Sequence, residues 1–177
     1  MTPETDRVLE MLSVALSMEN KGKSFYEKAM AECKNSLGKD IFTKLRDDEL
    51  IHVDRIKIIY AEIKGGENWS EAWKALNPDH DELGAMFRAI AVKNGPEAQV
   101  DAEDLEALGI GIEFEAASVK FYQEHLAKAT DPMEREFAQK MILEEKDHHH
   151  ALTDMHQYLS NPESWFEEME HIGLDGA

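Results

Sequence analysis

Apolar residues recur every three or four positions along most of this 177-residue chain, and the recurrences break at proline, glycine or a short polar side chain. Val8, Leu9, Leu12, Leu16, Met30 and Cys33 form a first stripe, opened by Thr2-Pro3, an N-cap residue followed by a first-turn proline. Ser36 opens a second through Ile41, Leu45, Ile56, Ile59 and Ile63, which Gly65-Gly66 ends. Asp101 caps a third through Leu105, Leu108, Ile112, Val119 and Leu126. Asp131 and Pro132 open a fourth through Phe137, Met141, Leu152, Met155 and Leu159, stopped by Asn161-Pro162. This period predicts four amphipathic helices of about 25–30 residues each. No segment alternates as a strand would.

The connections set the topology. Helices one and two are joined by a few residues, as are three and four, which suits antiparallel neighbours. Residues 65–100 intervene between the second and third helices, with a short piece around Trp69 to Leu76 and a modest helix from Asp81 to Lys93 ended by Gly95-Pro96. The prediction is therefore all-α: a ferritin-like four-helix bundle built of two hairpins, 4–64 and 101–160, joined by one long crossover. The tail, 161–177, is expected as a short C-terminal helix whose Trp165 and Phe166 rest on the bundle or on a neighbouring subunit. The whole reads as a single domain, 1–177.

Each stripe is interrupted by charge at mid-helix. The first continues onto Glu19; the second demands apolar residues where Asp48, Glu49 and His52 stand. The third encloses Glu115, and the fourth encloses Glu144, Glu145 and His148. A buried carboxylate without a partner costs several kcal/mol, so four at matching depth require a cation between them. Two of the helices carry E-x-x-H, which sets both side chains on one face, roughly 60° apart. Carboxylate oxygen with imidazole nitrogen and no thiolate suits iron or manganese better than a structural zinc site.

The halves repeat with a constant offset of 96 and no gap: Glu19 answers to Glu115, Phe25-Tyr26 to Phe121-Tyr122, Glu49 to Glu145 and His52 to His148. Four carboxylates and two imidazoles related in this way describe a two-metal site, in which two dications bring the formal charge to zero. Asp48 and Glu144, each preceding a glutamate of an E-x-x-H pair, are expected to accept Nδ1–H from the histidine of the opposite hairpin. Tyr26 and Tyr122 follow Glu19 and Glu115 by two turns on the same face, placed either to hydrogen-bond the carboxylates or to fill the core. Within "EEKDHHH", Lys146 and Asp147 are expected toward solvent, and His149 and His150 fall off the metal face.

Charge and cysteine content narrow the function. With 19 Lys and Arg against 37 Asp and Glu, the net charge is −18, which disfavours nucleic acid and anionic lipid as partners. No apolar run approaches the roughly 20 residues that span a bilayer, and "MTPETDRVLE" lacks the basic and apolar regions of a signal peptide. The cytoplasm is the expected compartment. Cys33 stands alone, so neither an intrachain disulfide nor a thiolate cluster is expected.

Glu19-to-Tyr26 with "DELIH" at 48–52, and Glu115-to-Tyr122 with "EEKDH" at 144–148, resemble the rubrerythrin branch of the ferritin-like di-iron proteins over about residues 8–160. The resemblance implies that Glu19, Glu49, His52, Glu115, Glu145 and His148 ligate two iron ions, or manganese or a mixed pair, with Glu49 and Glu145 bridging and each histidine terminal. It implies a non-haem di-iron oxidoreductase that reduces hydrogen peroxide or dioxygen in oxidative-stress defence, in a homodimer or larger assembly. The alternatives are a ferroxidase, iron-storage or iron-delivery protein, or a bundle without metal. Two departures stand out. Rubrerythrins proper carry a four-cysteine rubredoxin domain, which a single cysteine cannot build, so an external donor such as a rubredoxin-type protein is expected to supply electrons. They also tend to place an extra glutamate one turn after the third helix's ligand, where this chain has Ser118; its loss implies a more symmetric site.

Overall fold

The computed structural model describes residues 2–80, 82–95 and 101–174, the last four by their backbone alone. It is a helical bundle with no strand among the described residues. Helices α1 (Pro3–Glu32) and α2 (Ser36–Lys64) form one hairpin, and α4 (Ala102–Leu126) and α5 (Pro132–Ser160) the other. Between them lie a 3-10 turn, Ala72–Ala75, and α3 (Leu83–Asn94), which rests on α5; α6 (Pro162–Leu174) follows α5 directly. Asp81 and Pro96, expected to bound the crossover helix, lie outside the described residues. No described helix is long and apolar enough to cross a membrane.

Local chemistry starts each helix where the sequence marks it. Thr2 accepts from the Thr5 amide at 3.2 Å ahead of Pro3. Asn35, one residue before the expected start of the second helix, accepts from Gly38 at 3.0 Å. Asp101 accepts from Glu103 at 3.1 Å, and Asp131 from Met133 at 2.7 Å and Glu134 at 3.2 Å. These contacts satisfy amide donors that a first turn leaves unpaired. At the start of α3 the acceptor is distant in sequence: Asp147 of α5 takes the Leu83 amide at 2.5 Å and the Gly84 amide at 3.2 Å. This corrects the expectation that Asp147 faces solvent, since the orphan amides of a helix with no side-chain cap of its own draw the carboxylate in.

Two apolar layers fill the bundle. One holds Val8, Leu12, Ile56, Ile59, Tyr122, Phe137 and Met141, and the other Tyr26, Ile41, Phe42, Leu45, Leu108, Leu152 and Met155. The hairpins run so that α1 and α2 pass between these layers in opposite senses, as do α4 and α5. What lies between the layers on every helix is the charged mid-section. Trp165 is buried in the second layer, its ring 5.3 Å from that of Tyr158 and 6.0 Å from that of Phe87, with Phe166 packed beside it. Of the two expected places for these tail aromatics, the structure puts them on the chain's own bundle.

Candidate metal centre

Glu19 of α1, Glu49 and His52 of α2, Glu115 of α4, and Glu145 and His148 of α5 meet in the central layer, all essentially excluded from solvent. The donor atoms fall into two groups, each within 4.8 Å internally: Glu49, Glu115, Glu145 and His148, and Glu19, Glu49 and His52. Glu49 belongs to both. The His52 ring lies nearly parallel to that of His148, with centroids 5.5 Å apart. His52 Nδ1 is 3.3 Å from Glu19 Oε2 and 3.1 Å from Glu145 Oε1; His148 Nδ1 is 3.7 Å from Glu145 and 3.8 Å from Glu115. All six residues singled out from sequence are thus brought together, and His149 and His150 are not in either group.

The cluster is short of positive charge. Among the described residues its glutamates pair with histidines alone, never with Lys or Arg. Both oxygens of Glu49, both of Glu145, Glu115 Oε2 and His148 Nδ1 are buried without a hydrogen-bond partner. Protons therefore supply the compensation. Burial, then the charges of its neighbours, holds Glu49 well above the usual carboxylate range. Burial and the nearby Glu145 push Glu115 up to about 8. For both histidines burial opposes the charged ring, yet contacts with carboxylates outweigh it and raise the pKa well above the ordinary value. Glu145 is held low, because the charge of His52 and the close approach of both histidine rings overcome the effect of burial. Inward-facing oxygens and nitrogens that lack both partners and fixed cations are a donor set that fits two divalent ions.

Four of the six members of the cluster, Glu19, Glu115, His52 and His148, are held from outside. Tyr122 donates to Glu19 at 2.5 Å, and Tyr26 donates to Glu115. Both phenols are raised well above 10, first by burial and then by the adjacent carboxylates, so they remain O–H donors. Of the two roles open to these tyrosines, hydrogen bonding and core filling, the structure shows both at once, and each links one hairpin to the other. Asp48 and Glu144 do pair with the histidines of the opposite hairpins, but through the other nitrogen: Asp48 Oδ2 is 3.1 Å from His148 Nε2, and Glu144 Oε2 is 3.2 Å from His52 Nε2. The expected Nδ1–H contact is corrected because Nδ1, nearer the ring's attachment, points into the cluster.

Two further residues escaped the sequence pattern. Arg55, fully buried, donates to Glu144 Oε1 at 3.1 Å, to Glu144 Oε2, and to the Leu76 carbonyl at 2.7 and 2.9 Å. Its signal was present: a charge one turn beyond His52 on the buried stripe, where the repeat counterpart is Ala151. His80 of the crossover sits 2.9 Å from Asp48 Oδ2, and nothing in helical periodicity could have placed it. Around these groups a cleft of about 650 Å³ opens between the crossover and α5, with Asp48, Glu144 and His148 among its lining and Lys140 and Lys146 also lining it.

The position of Ser118 bears on the site's symmetry. Its hydroxyl is buried with no hydrogen-bond partner. At its counterpart Gly22, an added Cβ would stand 2.7 Å from the Phe114 ring and 3.0 Å from Glu49 Oε1, so that half has no room for a longer side chain. Neither half carries a fifth carboxylate at this level. No curated protein and no solved structure matches the chain. The family model described as Rubrerythrin matches residues 10–156, a span that contains both E-x-x-H pairs, Glu19 and Glu115. The chain therefore belongs to the rubrerythrin family, within the ferritin-like di-iron superfamily.

Proposed function

We propose that this protein is a non-haem di-iron oxidoreductase that reduces hydrogen peroxide or dioxygen, with Glu19, Glu49, His52, Glu115, Glu145 and His148 as the metal ligands. The observation that carries this is the buried cluster of four glutamates and two imidazoles with no fixed cation among them. Two ferrous ions, when bound, supply the two electrons that reduction of peroxide to water requires, and two protons complete the balance. The protein's own part is positional. Tyr26 and Tyr122 hold Glu115 and Glu19 in place, Asp48 and Glu144 fix the tautomers of His148 and His52, and apolar layers on both sides keep bulk water away. The cleft at Asp48 and His148 is the natural entry for a small oxidant. A separate redox protein, such as one of rubredoxin type, would restore the electrons.

The test is peroxide consumption by iron-loaded protein with a chemical reductant. Turnover should exceed that of Glu49→Gln and vanish after chelation; equal rates for parent and variant would sink the proposal. A second reading, iron oxidation or storage, draws support from Ser118, since the carboxylate absent there is one that family members tend to carry. It predicts iron uptake well beyond two atoms per chain, which elemental analysis after aerobic loading distinguishes.

A further inference from the structure

We propose that the two metal positions are unequal by construction, and that His80 is a positioning residue that tightens the position of His148 and leaves that of His52 untouched. This rests on the dimetal reading above. The sequence repeat makes the two halves equivalent at every expected ligand and at the carboxylate behind each histidine. The equivalence ends one step further out. Behind His52, Glu144 is clamped by the buried guanidinium of Arg55 and by Lys140 at 3.0 Å. Behind His148, Asp48 has imidazoles as its hydrogen-bond partners: His148 itself at 3.1 Å, and His80 at 2.9 and 3.2 Å to its two oxygens. Arg55 has Ala151 as its counterpart, and His80 belongs to the crossover, which has no counterpart at all.

The two supports differ in kind. A bidentate guanidinium fixes Glu144 rigidly and takes up much of its charge, which weakens the carboxylate as an acceptor for His52. Asp48, whose partners are two single imidazole nitrogens in place of a guanidinium fork, keeps more of its charge for the His148 ring, and a stronger acceptor makes a metal-bound imidazole a better ligand. Asp48 is itself nearly excluded from water, so its orientation depends on these two rings. The crossover that carries His80 is tied down on either side, by Arg55 to the Leu76 carbonyl and by the Leu83 and Gly84 amides to Asp147. His80 is thus presented from a segment anchored to both E-x-x-H helices. The donors are distributed in the same direction: three glutamates converge with His148 and two with His52. The His148 position fills first, and the preference depends on His80.

Anaerobic titration of cobalt(II) into metal-free protein, followed by calorimetry and visible absorption, tests this without reference to turnover. The parent should bind two ions in unequal steps. Glu19→Gln isolates the His148 position, and Glu115→Gln isolates the other. Adding His80→Ala should weaken cobalt binding ~10–100-fold in the first background, the range typical of lost ligand support, and change nothing in the second. His80→Gln, whose amide donates to Asp48 in the same way, should restore most of the affinity; circular dichroism checks that each variant is folded. A His80→Ala effect that is equal at both positions, confined to the His52 position, or absent overturns the proposal while leaving the dimetal reading intact. A parent that binds no cobalt overturns both.

Discussion

Replacing Glu49 with glutamine should stabilise the metal-free protein and destabilise the metal-loaded one relative to the parent. Without metal, Glu49 is fully buried, both its oxygens lack hydrogen-bond partners, and it faces Glu19, Glu115 and Glu145. An unsatisfied buried polar group costs ~1–3 kcal/mol. Glutamine keeps the shape, is neutral without having to take up a proton against Glu19, Glu115 and Glu145, and offers N–H donors to Glu19, which lies within hydrogen-bonding reach. Recovery of that cost should raise Tm by several degrees, at ~2–4 °C per kcal/mol for a chain of this size. With metal the sign reverses. Each ion present at a hundred times its dissociation constant stabilises the parent by ~2.7 kcal/mol, and Glu49 belongs to both donor groups, so its loss weakens both positions. Scanning calorimetry of chelated and manganese-loaded samples should therefore show the two proteins exchanging order. A variant that melts below the parent without metal, or that gains as much from manganese, would refute the inference that the cluster is a charge-frustrated site awaiting cations.

Three other outcomes follow from the same geometry. Arg55→Met should cost ~3 kcal/mol in urea denaturation, the low end for breaking a buried ion pair, because Glu144 retains Lys140 and His52 and is 12% exposed; a loss under ~1 kcal/mol would mean that the pair is not worth a buried one. Trp165→Ala should cost ~3–5 kcal/mol and speed amide exchange in α6 ahead of α1 and α2, whereas unchanged α6 protection would contradict its docking on Phe87 and Tyr158. The metal-free protein should lose stability as pH rises from about 4.5 to about 8, the interval between the ordinary Glu115 value and its folded one. The folded state holds the extra proton there, so unfolding is favoured as pH rises, by at most ~1.4 kcal/mol per pH unit for one group. Saturating manganese, which takes the proton's place, should flatten that dependence; a metal-free Tm that climbs over this interval would count against it.

The helices and the cluster were legible in one dimension because both depend on the same period. A charge at a stripe position must be buried with the stripe, so Glu19, Glu49, His52, Glu115, Glu145 and His148 could be singled out before any coordinates, and the 96-residue offset showed them to be paired. Helix starts were equally plain at Thr2-Pro3 and Asp131-Pro132, where capping is a contact between near neighbours in the chain. Contacts between distant segments were another matter. Asp147 looked like a solvent residue, and only the docking of α3 gave it the Leu83 and Gly84 amides. Which ring nitrogen faces the cluster depended on how α2 and α5 are rotated against each other, which no spacing rule encodes. The sequence by itself determined a symmetric pair of hairpins with a symmetric set of donors, because a repeat copies what lies on the helices. Arg55 against Ala151 already broke that symmetry on the helices, but the tertiary structure alone set Arg55 behind one histidine and His80 behind the other, because the crossover is folded onto the bundle once and touches the two halves differently.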